Sequence, residues 1–134
     1  GEDLELWARV AAAHPIACLP DVMMHRRKHS DNTSQATTAL LSDLVKVNAS
    51  VRKHCAGQLV REGTDPDALV ARAWADLGYW HFSNAMPALA RSAFRNSLRE
   101  KPNLRALAYG IACLAPAALL KSLRKTKQRL TGQV

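Results

Sequence analysis

The chain has 134 residues and a formal net charge of +8. Hydrophobic residues make up 48% of it, and aromatic residues only 5%. This apolar fraction excludes a disordered chain, and the length suffices for one ordinary domain with its own core. Because bulky aromatic residues are scarce, we expect a core of Ala, Leu and Val. Such a core suits closely packed helices better than a β-sandwich.

The excess of basic residues, with an isoelectric point near 9.9, favours an anionic partner. The candidates are a phospholipid surface, a phosphorylated small molecule and, third, nucleic acid. One basic cluster occupies residues 25–29, and a second lies near the C-terminus. The second cluster consists of Lys121, Arg124, Lys125, Lys127 and Arg129. Neither cluster contains aromatic residues that stack on bases, so we expect no nucleic-acid partner.

The three cysteines, Cys18, Cys55 and Cys113, are widely spaced and lack the pairing typical of a zinc site. We expect them to be buried thiols in a reducing cytoplasm. The longest uncharged run covers residues 106–120, which is shorter than the roughly 20 residues that span a bilayer. Whether this run lies on a bilayer surface stays open.

The first predicted element is an amphipathic helix over residues 2–14, because Leu4, Trp7, Val10 and Ala11 recur at helical spacing. Its acidic start is favoured by the helix dipole. Two short apolar runs follow, at residues 15–20 and 22–24, and they are the only predicted strands. Residues 31–34 are polar and turn-forming.

The rest of the chain is predicted to be helical. A helix over residues 37–55 ends near Gly57. Asp65 is a good N-cap before Pro66 at the first helical position, and this pair begins a helix that reaches about residue 82.

Three further helices follow in this prediction. Asn84 caps the first of them, which has Pro87 in its first turn and reaches about residue 100. Pro102 opens the next helix, and Pro116 opens the last one, which is basic.

Part of this helical stretch has the residue offsets of one tetratricopeptide repeat (TPR). The matching residues are Trp74, Leu77, Gly78, Ala90, Phe94 and Pro102. His81 and Ser97 replace the usual Tyr and Ala. The small Gly78 and Ala90 would allow two antiparallel helices to approach closely. A simple helix hairpin that packs like such a repeat is the favoured interpretation, since no second copy occurs at the 34-residue period.

Several short motifs at the N-terminus occur in a fixed order. They are Gly1-Glu2-Asp3, Leu6-Trp7-Ala8-Arg9, Pro20 before a predicted strand, and Arg27-x-His29-x-x-Asn32-x-Ser34. In this order and spacing, residues 1–34 resemble the end of the catalytic domain of family 2 (GT-A type) glycosyltransferases. The helical remainder, with Ala90-Arg91 and Lys101-Pro102, is similar to C-terminal extensions of many bacterial members.

The resemblance implies a division of the chain and a fold class. Residues 1–35 would be the C-terminal edge of a catalytic domain, with the Glu-Asp helix and two short strands. Residues 36–134 would be a helical C-terminal domain. The expected fold is therefore mainly α: a helical bundle with a TPR-like hairpin, preceded by a short α/β remnant.

The resemblance also implies roles for individual residues. Asp3 takes the position of the catalytic base, which removes the proton of the acceptor hydroxyl in an inverting transfer, and Glu2 flanks it. Taken without the rest of the pattern, both are ordinary acids at a helix start. Arg27 and His29 match the segment near the donor diphosphate, where His29 is one candidate metal ligand. Arg9 is expected to form a structural ion pair on its helix.

The family's nucleotide-binding strands and its Asp-x-Asp metal motif precede the Glu-Asp motif, so we expect a fragment that is inactive alone. The parent enzyme would use a nucleotide-sugar donor, a saccharide or lipid-linked acceptor and a divalent metal (Mg or Mn), as in polysaccharide biosynthesis. No cofactor is expected in the fragment. His14, His54 and His81 are expected to be surface or interface residues, with no metal-site spacing.

The expected location is the cytoplasm, either free or peripheral at the inner face of the plasma membrane. There the C-terminal basic cluster would lie near an anionic bilayer surface. The alternative from a different class is a helical, TPR-like adaptor that binds a protein partner in a groove beside Trp74 and Trp80.

Overall fold

The computed structural model describes residues 2–25 and 37–115. Within these residues the chain is mainly helical, with five helices and no strand. The helices are α1 (Glu2–Ala13), α2 (Thr37–Arg61), α3 (Pro66–Ser83), α4 (Pro87–Glu100) and α5 (Leu104–Ala112). The predicted helix of residues 2–14 is confirmed, while the predicted helix opened by Pro116 lies outside the described residues.

The start of α3 forms as predicted. The Asp65 carboxylate accepts hydrogen bonds from the backbone N–H groups of Asp67 and Ala68 at 2.9 and 3.0 Å. Pro66 occupies the first turn, where its missing N–H removes no helical hydrogen bond. Sequence alone therefore located this helix boundary, because both signals act on the backbone directly.

The predicted N-cap of α4 is wrong. Asn84 instead ends α3, where its side-chain amide donates to the Trp80 carbonyl at 2.8 Å. The chain then reverses through Ala85, whose φ of 61° is in the left-handed region, and α4 starts after Met86 without a side-chain cap. Helix α5 also begins later than predicted, after Asn103 rather than at Pro102.

Helix α2 continues past its predicted end. Gly57 lies inside it, and the helix stops at Arg61. The termination signal is Gly63, which adopts a left-handed φ of 73°. Backbone hydrogen bonds from Gly63 to the Val60 carbonyl and from Thr64 to the Leu59 carbonyl close the end.

The two predicted strands, residues 15–20 and 22–24, do not form; residues 14–25 are irregular and exposed. A strand needs a neighbouring strand to satisfy its backbone hydrogen bonds, and the described part of the chain offers none. Pro15 and Pro20 also lack the N–H that a ladder requires. The predicted burial of Cys18 in this segment is wrong, whereas Cys55 and Cys113 are buried.

The helices pack in chain order, α1 on α2, α2 on α3, α3 on α4, and α5 on both α4 and α3. Helices α3 and α4 run antiparallel, since the Ser97 hydroxyl donates to the Ala71 carbonyl at 2.7 Å while Phe94 lies against Gly78. The buried core is built mainly from Ala and Val, as predicted. The predicted contribution of Leu is wrong, since Leu77 is the one buried leucine among the described residues.

The closest helix approach in this hairpin is at Gly78. A Cβ on this glycine would lie 2.8 Å from two ring carbons of Phe94, which is 1% exposed. The Phe94 ring stacks on Tyr109 of α5 at a centroid distance of 5.9 Å. Tyr79 and Phe82 contact the same Tyr109 edge-to-face, so one aromatic group joins α3, α4 and α5.

Candidate functional site

The first candidate residues, Glu2 and Asp3, occupy the first turn of α1. The Asp3 side chain is exposed. Within the described residues, no hydrogen bond or ion pair occupies its carboxylate, so it is accessible from solvent.

Helix α1 is held to α2 by a short polar network and by small side chains. The Ser50 hydroxyl donates to the Glu5 carboxylate at 2.9 Å, and the Arg9 guanidinium lies 3.8 Å from the same carboxylate. The ion pair predicted for Arg9 is thus confirmed. Ala8 and Ala12 pack on a cluster of α2 side chains: Val47, Val51 and Cys55.

Many of the side chains of residues 4–24 are apolar and exposed. We call this the N-terminal apolar surface; it comprises Leu4, Leu6, Trp7, Ile16, Leu19, Val22, Met23 and Met24. Every one of these side chains is at least half exposed, with Trp7 at 59% and Met24 at 79%. Scattered exposed apolar residues are normal, but a concentration of this kind within two dozen residues is typical of a contact surface.

The remaining predicted site residues cannot be assigned positions. Arg27 and His29, predicted near the donor diphosphate, lie outside the described residues, as does Gly1. The C-terminal basic cluster, Lys121, Arg124, Lys125, Lys127 and Arg129, also lies outside them.

The described part of the chain contains no group of three His, Cys, Asp or Glu side chains that could hold a metal ion. His14 and His54 are exposed, as predicted. The prediction for His81 is wrong, since this residue is buried at 7% exposure inside α3. Its Nδ1 atom has no hydrogen-bond partner within the described structure, and its ring contacts Trp80 edge-to-face.

Burial determines the charge of His81. Desolvation lowers the pKa of its imidazole below the ordinary 6.5, because burial disfavours the charged form. The folded protein therefore holds His81 neutral around pH 7. It occupies a buried position near the end of α3.

Sequence reasoning missed an open cavity of about 360 Å³ between the first half of α3 and the turn from α4 to α5. Its floor contains Ala68, Ala71 and Ala75. Its rim carries the cations Arg72, Lys101 and Arg105. No local motif indicates this site, because the packing of α5 on α3 brings together residues that are far apart in sequence.

Two of the rim cations are already paired. Lys101 binds the Asp65 carboxylate, and the Arg105 guanidinium donates to Asp76 at 2.6 Å. Arg105 also lies over the Tyr79 ring at 5.1 Å. Arg72 is exposed and forms no ion pair within residues 2–25 and 37–115. The cavity thus combines an apolar floor with one unneutralised cation.

The two tryptophans of the predicted adaptor groove, Trp74 and Trp80, lie in different environments. Trp74 packs on the cluster between α2 and α3 that contains Val45 and Leu77, so part of its surface is already covered by α2. Trp80 is half-buried near the end of α3.

Together the fold and these sites define a mainly helical protein with an exposed acid at its N-terminal end. No family model, curated protein or solved structure matches the chain. Among the described helices, none combines the length and the apolar character needed to cross a bilayer.

Proposed function

We propose that the chain is the C-terminal part of a bacterial, inverting glycosyltransferase that transfers a sugar from a nucleotide-sugar donor to a saccharide or lipid-linked acceptor. Residues 1–35 would be the edge of its GT-A catalytic domain, and residues 36–134 its helical C-terminal domain. The observation that carries the proposal is the N-terminal apolar surface, which begins at Leu4, the residue after the exposed Asp3.

The apolar surface supports this proposal because it has no cover within the described residues. Helix α1 contacts α2 through Ala8, Ala12 and Glu5, while Leu4 and Trp7 remain half exposed or more. Fully burying one large apolar side chain contributes about 1.5–3 kcal/mol. A catalytic domain lying on this surface would therefore gain substantial binding free energy, and it would place its donor site beside Asp3.

The chemistry assigned to this chain is confined to its own side chains. The Asp3 carboxylate accepts the proton of the acceptor hydroxyl as that oxygen forms a bond to the anomeric carbon. The bond from the anomeric carbon to the nucleoside diphosphate breaks on the opposite face. Glu2 flanks the acceptor, and Arg27 with His29 would neutralise charge on the departing diphosphate. A divalent metal would be held by the family's Asp-x-Asp motif, with His29 as one candidate ligand from this chain.

The first test is the size of the native polypeptide. An antibody raised against this chain should detect a band much heavier than 14.7 kDa in the producing cell. A band at that mass would overturn the proposal. The heavier polypeptide is then assayed with nucleotide sugars, a divalent metal and extracted acceptors.

The second test separates catalysis from folding. Asp3→Asn should abolish transfer in the native polypeptide while leaving its circular dichroism and melting temperature unchanged. The matched control is Asp43→Asn, because Asp43 is also an accessible carboxylate on a helix, where it pairs with Lys46 at 3.1 Å on α2. Full transfer by the Asp3→Asn variant would refute the catalytic assignment.

A second candidate function is a TPR-like protein-interaction domain. The close packing of Phe94 on Gly78 favours it, since these residues stand at TPR offsets and bring α3 and α4 into the contact that such a repeat needs. In this function the cavity beside Arg72 would bind an apolar side chain flanked by a carboxylate on a partner peptide.

Fluorescence anisotropy with labelled acidic peptides tests this alternative. Binding should weaken in an Arg72→Ala variant and persist in the control Arg91→Ala, another exposed arginine one helix away. Equal affinity of all three proteins, or no binding at all, would remove the cavity as a peptide site.

A further inference from the structure

The outer face of α4 carries three arginines that are one helical turn apart. Arg91, Arg95 and Arg99 follow one another at intervals of four residues, which places them in one row along the helix. All three side chains are exposed. The opposite face of α4, with Ala90 and Phe94, is buried in the helix hairpin. We call the three residues the α4 arginine row.

No acid neutralises this row within the described residues. None of its members forms an ion pair or a side-chain hydrogen bond within residues 2–25 and 37–115. Glu100 is the acid of α4, and its carboxylate binds Arg52 of α2. Arg105, in contrast, is paired with Asp76. Like charges four residues apart destabilise a helix, so the row weakens α4 and gains no compensating ion pair from the described part of the chain.

The spacing of the row indicates the chemistry of its partner. Four residues of α-helix rise about 6 Å, so the three side chains leave the helix at points about 6 Å apart. A second helix with Asp or Glu at every fourth position carries its carboxylates at the same interval. A guanidinium group binds one carboxylate through two parallel hydrogen bonds. Charge and spacing therefore both fit an acidic helix that lies along α4.

The surroundings of the row favour a protein helix over other anionic surfaces. Ala88 and Ser92 each precede a member of the row by three residues, so they lie beside it. Both are exposed and small, which allows a second helix to approach but offers nothing large and apolar to a bilayer. A protein bound to a DNA duplex contacts about 6–10 phosphates, whereas the row supplies three cations.

We propose that the α4 arginine row binds an acidic helix of a partner protein, whose carboxylates are one helical turn apart. The proposal does not depend on the transferase function. It also concerns a different site from the cavity beside Arg72, where the peptide would present a single carboxylate next to an apolar side chain.

Fluorescence anisotropy with two designed peptides tests the proposal on the full chain. The first is an Ala-rich peptide of about 20 residues, long enough to be helical alone, with Glu at every fourth position. The second has the same composition, with its glutamates distributed around the helix. The chain should bind the first peptide more tightly, and added NaCl should weaken this binding because the charges are exposed. The variant Arg91→Gln/Arg95→Gln/Arg99→Gln should raise the Kd about tenfold or more.

The matched control removes the same charge from other helices. Lys53, Arg61 and Arg72 are exposed cations on α2 and α3 that lie outside the row. The variant Lys53→Gln/Arg61→Gln/Arg72→Gln should bind the first peptide like the wild-type chain. Circular dichroism confirms that each variant is folded.

Three results of this assay would overturn the proposal. The first is an absence of binding to the first peptide, and the second is equal affinity for both peptides. The third is an equal loss of affinity in the two triple variants, since net charge alone would then determine binding. A fourth result comes from vesicles with phosphatidylserine and from a DNA duplex. If either binds more tightly than the peptide and depends on the row, the partner is a phosphate surface and not an acidic helix.

Discussion

Replacing Gly78 by alanine tests the close contact on which the α3–α4 hairpin depends. The added Cβ would lie 2.8 Å from the Cδ1 and Cε1 atoms of Phe94 and 3.1 Å from its Cζ atom. These are rigid ring atoms, and the ring is 1% exposed and stacked on Tyr109. The ring cannot move away without disturbing the contact of α5 with the hairpin.

The magnitude follows from two opposing effects. Overpacking of a filled core costs about 1–3 kcal/mol. Alanine is a better helix former than glycine by about 1 kcal/mol, which offsets part of this cost. Gly57 provides the matched control, because it lies inside α2 and a Cβ there would meet nothing within 4 Å. Gly57→Ala should therefore stabilise the protein by about 1 kcal/mol, through helix propensity alone.

The difference between the two variants isolates the steric contact. Urea unfolding followed by circular dichroism should give Gly78→Ala a free energy of unfolding about 1–3 kcal/mol below that of Gly57→Ala. Adding Phe94→Leu to Gly78→Ala should recover part of the loss, and a double-mutant cycle should show coupling between the two positions. If Gly78→Ala stabilised the protein as much as Gly57→Ala does, the close approach of α3 and α4 would be refuted.

Three other substitutions test single features of the fold. Ala85→Gly should stabilise the protein by about 0.5–1 kcal/mol in urea unfolding, because relief of the left-handed backbone outweighs the added entropy of the unfolded chain. Arg52→Met should lower the free energy of unfolding by roughly 1 kcal/mol at low salt, because Arg52 pairs with both Asp67 and Glu100. The decrease should be smaller at 1 M NaCl, since these ion pairs are partly exposed and salt screens them. The stability of the wild-type protein should fall as the pH drops below about 6.5, because His81 in the unfolded chain binds a proton that the buried imidazole resists. The His81→Phe variant should lose this pH dependence of the melting temperature in thermal melts between pH 5.5 and 7.5.

The helices were predictable where one local signal determined the backbone. Asp65 and Pro66 fixed the start of α3, since the carboxylate satisfies two free N–H groups and proline suits the first turn. Gly57 misled the prediction of α2, because a glycine ends a helix only when it adopts a left-handed conformation. That conformation belongs to Gly63 instead.

Other features depended on long-range contacts that a sequence does not display. Asparagine is favoured at N-caps, but the reversal through Ala85 places Asn84 at the end of α3. His81 looked like a surface residue because histidine is polar, and only the packing of the helices around it shows its burial. The cavity beside Arg72 arises from the docking of α5, which no local pattern encodes. Asp3 lies at the start of α1, as predicted, and its catalytic role stays a prediction.

The large exposed apolar residues concentrate in two parts of the described chain. The central helices α2, α3 and α4 contribute most of the buried side chains, whereas the large exposed ones concentrate in residues 4–24 and in 104–114. Helix α1 contacts α2 through two alanines and a short polar network. This contact contributes little free energy compared with the burial of Trp7 and Met24 under a covering surface. Helix α5, in contrast, is anchored by Tyr109 within the aromatic group and leaves only its outer side free. Both the N-terminal apolar surface and the outer side of α5 therefore stay exposed within the described residues. Substitutions in the N-terminal apolar surface should leave peptide binding by the α4 arginine row unchanged, because the two sites lie on different elements and share no residue.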